Sequence, residues 1–241
     1  MEKRMELVMG LLMLMLVSVL STRGFEQVSA PEISAVKTEA MEGVEKKTTV
    51  VIDVGHGGID PGKVSSEGVL EKDINLAISK KLKQFLESAD IRVVMTREED
   101  LGLYGEDEGN KKIADMQERC RLIEESEASL VVSVHQNSYH DEAVRGPQVF
   151  YYMGSKEGRI LAEKIQESFF GLLGEKNTRS AKGNREYYLL LHVKQPLVIV
   201  ECGFMSNKEE AAKLCDETYQ EKVAWVIHMG ILRYLNGEKV A

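Results

Sequence analysis

Apolar and polar positions follow two periods along this chain, and the two alternate. Val50-Val51-Ile52 is a short apolar run that stops at Gly55-His56-Gly57-Gly58. From Glu71 to Ala89 the apolar residues Ile74, Ala77, Ile78, Leu82, Phe85 and Leu86 recur at helical spacing on one face. Ile91 to Arg97 reads as a second strand, about Ile113 to Glu127 as a helix, and Ser129 to His135 as a third strand. The segment PQVFYYM then predicts a strand, and Ile160, Leu161, Ile165, Phe169, Leu172 and Leu173 mark another helix. PLVIVECGF is too apolar to face water on either side. Val223, Val226, Ile227, Gly230, Ile231, Tyr234 and Leu235 define a last helix. Such alternation with near-continuous apolar strands predicts an α/β fold: a mostly parallel, mixed central sheet with helices on both faces. In sheets of this kind ligands bind beyond the carboxyl ends of the strands.

The N-terminus departs from this pattern. Lys3 and Arg4 precede an uninterrupted stretch of apolar, Gly and Ser residues from Leu7 to Leu20. That suits an export signal or a short membrane anchor better than a full span of roughly 20 residues. No A-x-A cleavage site follows, since the chain runs Ser21-Thr22-Arg23-Gly24. Residues 1–20 are therefore expected to be a signal peptide or anchor, 21–47 a polar linker, and 48–241 the catalytic domain, working outside the cytoplasmic membrane. The 241 residues carry a net charge of −8, which makes nucleic acid a poor partner. Cys120, Cys202 and Cys215 lack metal-ribbon or redox spacing and predict no disulfide framework. The acidic stretch from Glu98 to Asn110 reads as solvated surface, with a substrate-contacting flap as its alternative.

Three predicted strand ends carry chemistry. His56 follows the first strand, His135 ends the third, and Glu201 ends the apolar PLVIVE run. In a parallel sheet these ends share one edge. Glu71 opens the helix after the first strand, and its glycine-dotted loop can fold back toward His56. Two imidazoles and one carboxylate are a ligand set for catalytic zinc. Zinc lowers the pKa of bound water from about 15.7 to near 7, and a further carboxylate can carry the proton to a leaving amine. We assign His56, Glu71 and His135 as ligands to Zn2+ and Glu201 as the acid–base residue; the residue types alone leave open which glutamate plays which role. Gly55, Gly57 and Gly58 are expected to supply positive φ and room. Asp53 is expected to hold a ligand imidazole or to fix the loop, and Asn137 to orient substrate or brace its loop.

Each residue has an ordinary alternative. A histidine at a strand end is usually solvated or capped, and Glu201 could pair with an Arg or Lys. His140, His192 and His228 could substitute as ligands, although His228 lies among core positions and His192 could instead contact substrate. The glycine-rich turn lacks the G-x-G-x-x-G and Walker patterns of phosphate loops.

VVIDVGHGGIDPG through Glu71, SVHQNS, and PLVIVECGFMSNKEE together resemble the zinc-dependent N-acetylmuramoyl-L-alanine amidases of the amidase-3 type, over about Thr49 to Leu235. That resemblance puts the family's zinc ligands on His56, Glu71 and His135 and its catalytic glutamate on Glu201. It gives Arg97 a structural position and implies a peptidoglycan substrate. Val54 stands where the family usually has proline, which alters loop stiffness but removes no ligand. The chain is most similar to the sporulation and germination subgroup acting on spore-cortex peptidoglycan, where an accessory exported protein partner is expected. Two rival functions stay open on sequence. One is a metallocarboxypeptidase using Arg145, Arg159, Arg179 or Arg185 to hold a terminal carboxylate. The other is a non-catalytic peptidoglycan-binding module. Oligomeric state is not legible.

Overall fold

A computed structural model describes residues 48–173 and 178–237. The expected export segment and linker lie outside the described residues, as do the side chains of Leu172 and Leu173. Strands β1 (Thr49–Val54), β2 (Arg92–Met95), β3 (Leu130–Asn137), β4 (Gln148–Tyr152), β5 (Lys182–Asn184) and β6 (Leu197–Phe204) form one sheet. Helices α1 (Glu71–Ser88), α2 (Lys111–Glu125), α3 (Lys156–Leu173), α4 (Tyr188–His192), α5 (Lys208–Leu214) and α6 (Glu217–Leu235) connect or follow them. The sheet order is β2-β1-β3-β6-β4-β5. All pairings are parallel except β4 with β6.

The central strands β1, β3 and β6 are covered on both faces, which is why their sequences are continuous apolar runs rather than alternating ones. Val50, Ile52, Val54, Leu130, Val132, Val134, Val198 and Val200 join a core with Ile74, Ile78 and Leu82 of α1, Leu161 and Ile165 of α3, and Val223 and Ile227 of α6. The intervening residues Val51, Val131, Leu197 and Ile199 pack with Ile123 of α2 and Leu189 and Leu190 of α4. Successive side chains on a strand point to opposite faces. His135 and Glu201 therefore continue the rows Val131–Ser133 and Leu197–Ile199, and project on the α2 and α4 side. Parallel pairing sets His135 directly opposite Glu201, just before a shift in register between His135 and Asn137.

The predicted long elements are present with ends moved by a few residues. Three short elements, β5, α4 and α5, were not anticipated. Among the described residues no helix is long and apolar enough to cross a membrane, and Cys120, Cys202 and Cys215 are all free thiols.

Candidate metal and acid–base site

The carboxyl ends of β1, β3 and β6 open into a cleft of about 810 Å³ whose lining includes His56, Glu71, His135 and Glu201. Glu71 stands in the first turn of α1 and is almost fully buried. Its Oε2 lies 3.2 Å from His56 Nε2, and its Oε1 lies 3.0 Å from His135 Nδ1. The two imidazoles face each other edge-on, with centroids 4.9 Å apart. One nitrogen from each histidine and one Glu71 oxygen all lie within 4.8 Å of one another. Burial works most strongly against charge on Glu71. The hydrogen bonds from His135 and His56 overcome it and hold the carboxyl well below the usual glutamate range.

This donor set fits a zinc ion in its chemistry. His56 Nδ1 is 3.0 Å from Asp60 Oδ2, an acceptor that would hold a proton on Nδ1 and leave Nε2, which faces Glu71, available to a cation. Backbone space has also been cleared around the three donors. A Cβ on Gly55 would lie 2.4 Å from the His135 ring, and one on Gly62 would lie 2.5 Å from Glu71 Oε2. Gly57 and Gly58 adopt positive φ, as expected; Gly55 does not, and is needed for room instead. His56 itself has φ 59°, an uncommon conformation for a residue with a Cβ.

Two buried arginines hold that strained turn. Arg97 Nε donates to His56 O at 2.7 Å, and its Nη2 donates to Gly55 O at 3.1 Å and Lys72 O at 2.8 Å. Arg119 Nη1 donates to Val54 O at 2.6 Å and Nη2 to His56 O at 2.8 Å. Asp53 accepts from Arg119 at 2.7 Å and from Ser133 at 2.5 Å. Of the two roles expected for Asp53, loop fixing is the one present: no imidazole nitrogen bonds to it. Arg119, Asp60 and Asn75, whose Nδ2 donates to Gly55 O and Glu71 Oε1, were missed from sequence. Arg119 left a signal, since Met116, Arg119 and Ile123 share one helical face and an arginine there is out of place.

Glu201 is buried, and the expected alternative of an Arg or Lys partner is absent among the described residues. Tyr187 Oη donates to its Oε1 at 3.3 Å, while Oε2 is buried without a hydrogen-bond partner. Burial pushes the Glu201 carboxyl up to about 7, the nearby Glu71 charge adds to this, and His135 opposes it. A carboxyl in that range can both accept and return a proton near neutrality.

The remaining expectations resolve as follows. Asn137 lines the cleft, and its Oδ1 accepts from Ser138 N. His140 stacks on exposed Tyr139, and His192 stacks on Tyr188. His228 is buried beside Phe85 and Trp225. None of these three histidines joins the His56–Glu71–His135 group. The acidic loop is not merely solvated: Asp100 accepts from Gly58 N and from Lys72, and Tyr104 Oη accepts from Ile59 N, so the loop buttresses the His56 turn. Glu98 to Leu101 and Gly105 to Asn110 are exposed, and Gly102 to Tyr104 are half-buried. Arg145, Arg159, Arg179 and Arg185 do not line the cleft, so none is placed to hold a terminal carboxylate as a carboxypeptidase requires. Arg119 does line it, but its donors are committed to Asp53, Asp115 and backbone carbonyls.

Comparison with known proteins identifies the family. Residues 50–233 match the Amidase_3 family model, N-acetylmuramoyl-L-alanine amidase. The germination-specific N-acetylmuramoyl-L-alanine amidase of Bacillus subtilis (strain 168) is 38% identical over 188 residues, covering 77% of this chain and 78% of that protein. Among solved structures, the CwlD amidase of Clostridioides difficile, determined in complex with the GerS lipoprotein, superposes with a TM-score of 0.77 at 39% identity. It covers 80% of this chain and 100% of its own. An N-acetylmuramoyl-L-alanine amidase from Clostridium difficile 630 gives a TM-score of 0.70 at 30% identity, over 80% of this chain and 99% of that one.

Proposed function

The chain belongs to the Amidase_3 family of N-acetylmuramoyl-L-alanine amidases, and from that premise we propose that it is a zinc-dependent hydrolase of spore-cortex peptidoglycan. Its reaction is cleavage of the amide between the lactyl group of N-acetylmuramic acid and L-alanine. The observation that carries the zinc dependence is the convergence of His56, Glu71 and His135 beside a buried Glu201 whose hydrogen-bond donor is neutral. His56, Glu71 and His135 hold the ion. Bound there, zinc supplies Lewis acidity, activating water and polarising the scissile carbonyl.

The protein's own groups do the rest. Glu201 accepts a proton of the attacking water on its carboxylate and delivers it to the alanine nitrogen as the C–N bond breaks. Water's oxygen stays on the lactyl carbon as a carboxylate, and the stem peptide leaves with a free amine. The Gly55–Gly62 turn keeps side-chain bulk away from the ion so that a polymer can reach it. Asp60 and the Arg97–Arg119 pair keep His56 aimed.

The cortex role is supported by the identity to the B. subtilis germination-specific enzyme. Export follows from the nature of the substrate and the apolar Leu7–Leu20 stretch, which serves as signal or membrane anchor. An accessory exported protein partner is supported by the solved assembly of CwlD with the GerS lipoprotein.

Digestion of purified cortex peptidoglycan, with and without a chelator, tests the proposal by mass spectrometry of the fragments. Intact stem peptides with a free alanine amine are expected, lost on chelation and restored by zinc. Release of single amino acids, or indifference to the chelator, overturns it.

A further inference from the structure

Tyr187 was not among the residues expected from sequence, and no role attaches to it in the reading above. It stands at the N-cap of α4, where its backbone N–H donates to Asn184 Oδ1 at 3.0 Å. Glu186 N donates to the same oxygen at 2.6 Å. This turn delivers the phenol ring into the cleft, where it packs edge-on against Phe150 of β4 with centroids 5.5 Å apart. The hydroxyl then reaches Glu201 Oε1 at 3.3 Å. Among the described residues it is the one hydrogen-bond donor to that carboxylate.

We propose that Tyr187 is a positioning residue for Glu201, fixing the direction of its carboxylate at the edge of the cleft through the bond to Oε1. This inference rests on the assignment of Glu201 as proton carrier. A glutamate side chain has several torsions, and in a pocket with no other donor its carboxylate rotates unless something holds one oxygen. A phenol suits the task better than an arginine or lysine. A cation would stabilise the ionised carboxylate and weaken it as a base, whereas a neutral donor fixes its direction with less loss of basicity. The ring's packing on Phe150 and the Asn184 turn make the hydroxyl's place a property of β4, β5 and α4, away from the metal ligands.

The test is Tyr187→Phe, which keeps the ring and its packing and removes one hydroxyl. Loss of a hydrogen bond to a charged group predicts a fall in kcat of about 10- to 100-fold. KM, zinc content and Tm are expected to stay at wild-type values. In a Glu201→Gln background the same change is expected to cost nothing further, because an amide carries no proton for the hydroxyl to direct. A kcat within about twofold of wild type, a loss carried in KM or zinc content, or an unstable Tyr187→Phe protein overturns the inference, the last by making the hydroxyl a structural tie. So does an undiminished effect in the Glu201→Gln background, which would place the hydroxyl on the substrate. Failure of the underlying assignment looks different: Glu201→Gln would then itself retain full activity.

Discussion

The two sides of the cleft are built on opposite principles. On the β1 side, His56 has its ring held by Asp60 and its carbonyl held by both Arg97 and Arg119. Lys72 and Asp100 then brace Gly58 beyond it. On the β6 side, Glu201 has one neutral donor and one oxygen with no partner. A metal ligand must stay in one geometry, and over-determination serves it, because the strain of a left-handed histidine persists only where surroundings enforce it. A proton carrier must alternate between two states of charge, and a cationic clamp would freeze one of them. On the zinc-amidase reading proposed above, the density of hydrogen bonding separates a holding half of the site from a working half.

Glu201→Ala tests this division with the largest effect. Peptide release is expected to fall by about 10³-fold or more, while zinc content by elemental analysis stays near one per chain. His135→Ala should do the reverse in order, losing the metal first and the activity with it. Equal zinc loss in both variants would mean that the halves are not separate.

Next in size is Arg119→Ala. It strips the buried Asp53 of its cation and releases the carbonyls of Val54 and His56. Breaking such a pair costs about 3–5 kcal/mol, a fall in Tm of roughly 10 °C. Arg119 and the Ser133 bond hold the Asp53 carboxyl below its ordinary range against the effect of burial. In the wild type the pair's contribution is therefore complete above the ordinary aspartate range near pH 4 and is lost as pH falls through the depressed value. In the variant the uncompensated carboxyl is relieved by protonation. The gap in Tm between the two proteins is expected to narrow on acidification; a gap that widens would remove Asp53 from the account.

Asp60→Asn is a finer cut at the same side. The amide can still bond to His56 Nδ1 but no longer offers a carboxylate to its proton. A loss of 10- to 100-fold in zinc affinity is expected, read by competition with a chromogenic chelator, with Tm little changed in the zinc-free protein. Unchanged affinity would assign the aim of His56 to the arginines alone.

How much of this was legible in the sequence follows the same line between local and non-local causes. The three apolar strands and the residues at their ends could be read because a strand covered on both faces leaves a continuous apolar run. In a parallel sheet those ends coincide without knowledge of anything else, so His56, His135 and Glu201 could be brought together on paper. Glu71 followed from the helix start. The antiparallel β4, by contrast, is set by the partner it meets, and no pattern in QVFYY states its direction. The edge strand Lys182–Gly183–Asn184 buries too little to show a period at all. Asp60 and Tyr187 were missed because their roles depend on where a turn and a five-residue helix happen to place them. The acidic loop is exposed over most of its length, as its charges indicated, but the bonds that Asp100 and Tyr104 make back to the His56 turn depend on the fold and leave no local pattern.

Two arginines two residues apart on α2 give the smallest expected effect and the sharpest control. Arg121 pairs with two carboxylates, Glu118 at 2.5 Å and Glu125 at 2.5 Å, as Arg119 pairs with Asp53 and Asp115. Counted as pairs, it rivals Arg119. Yet Arg121 is exposed, and water solvates all three charges almost as well once the pairs are broken. Arg119 lies at 2% exposure, where nothing replaces a lost partner. Arg121→Ala is therefore expected to leave Tm, zinc titration and activity indistinguishable from wild type at physiological salt. A clear drop in Tm would mean that α2 is held by its surface charges, and the large effect of Arg119→Ala could then no longer be credited to burial and to the clamp on the His56 turn.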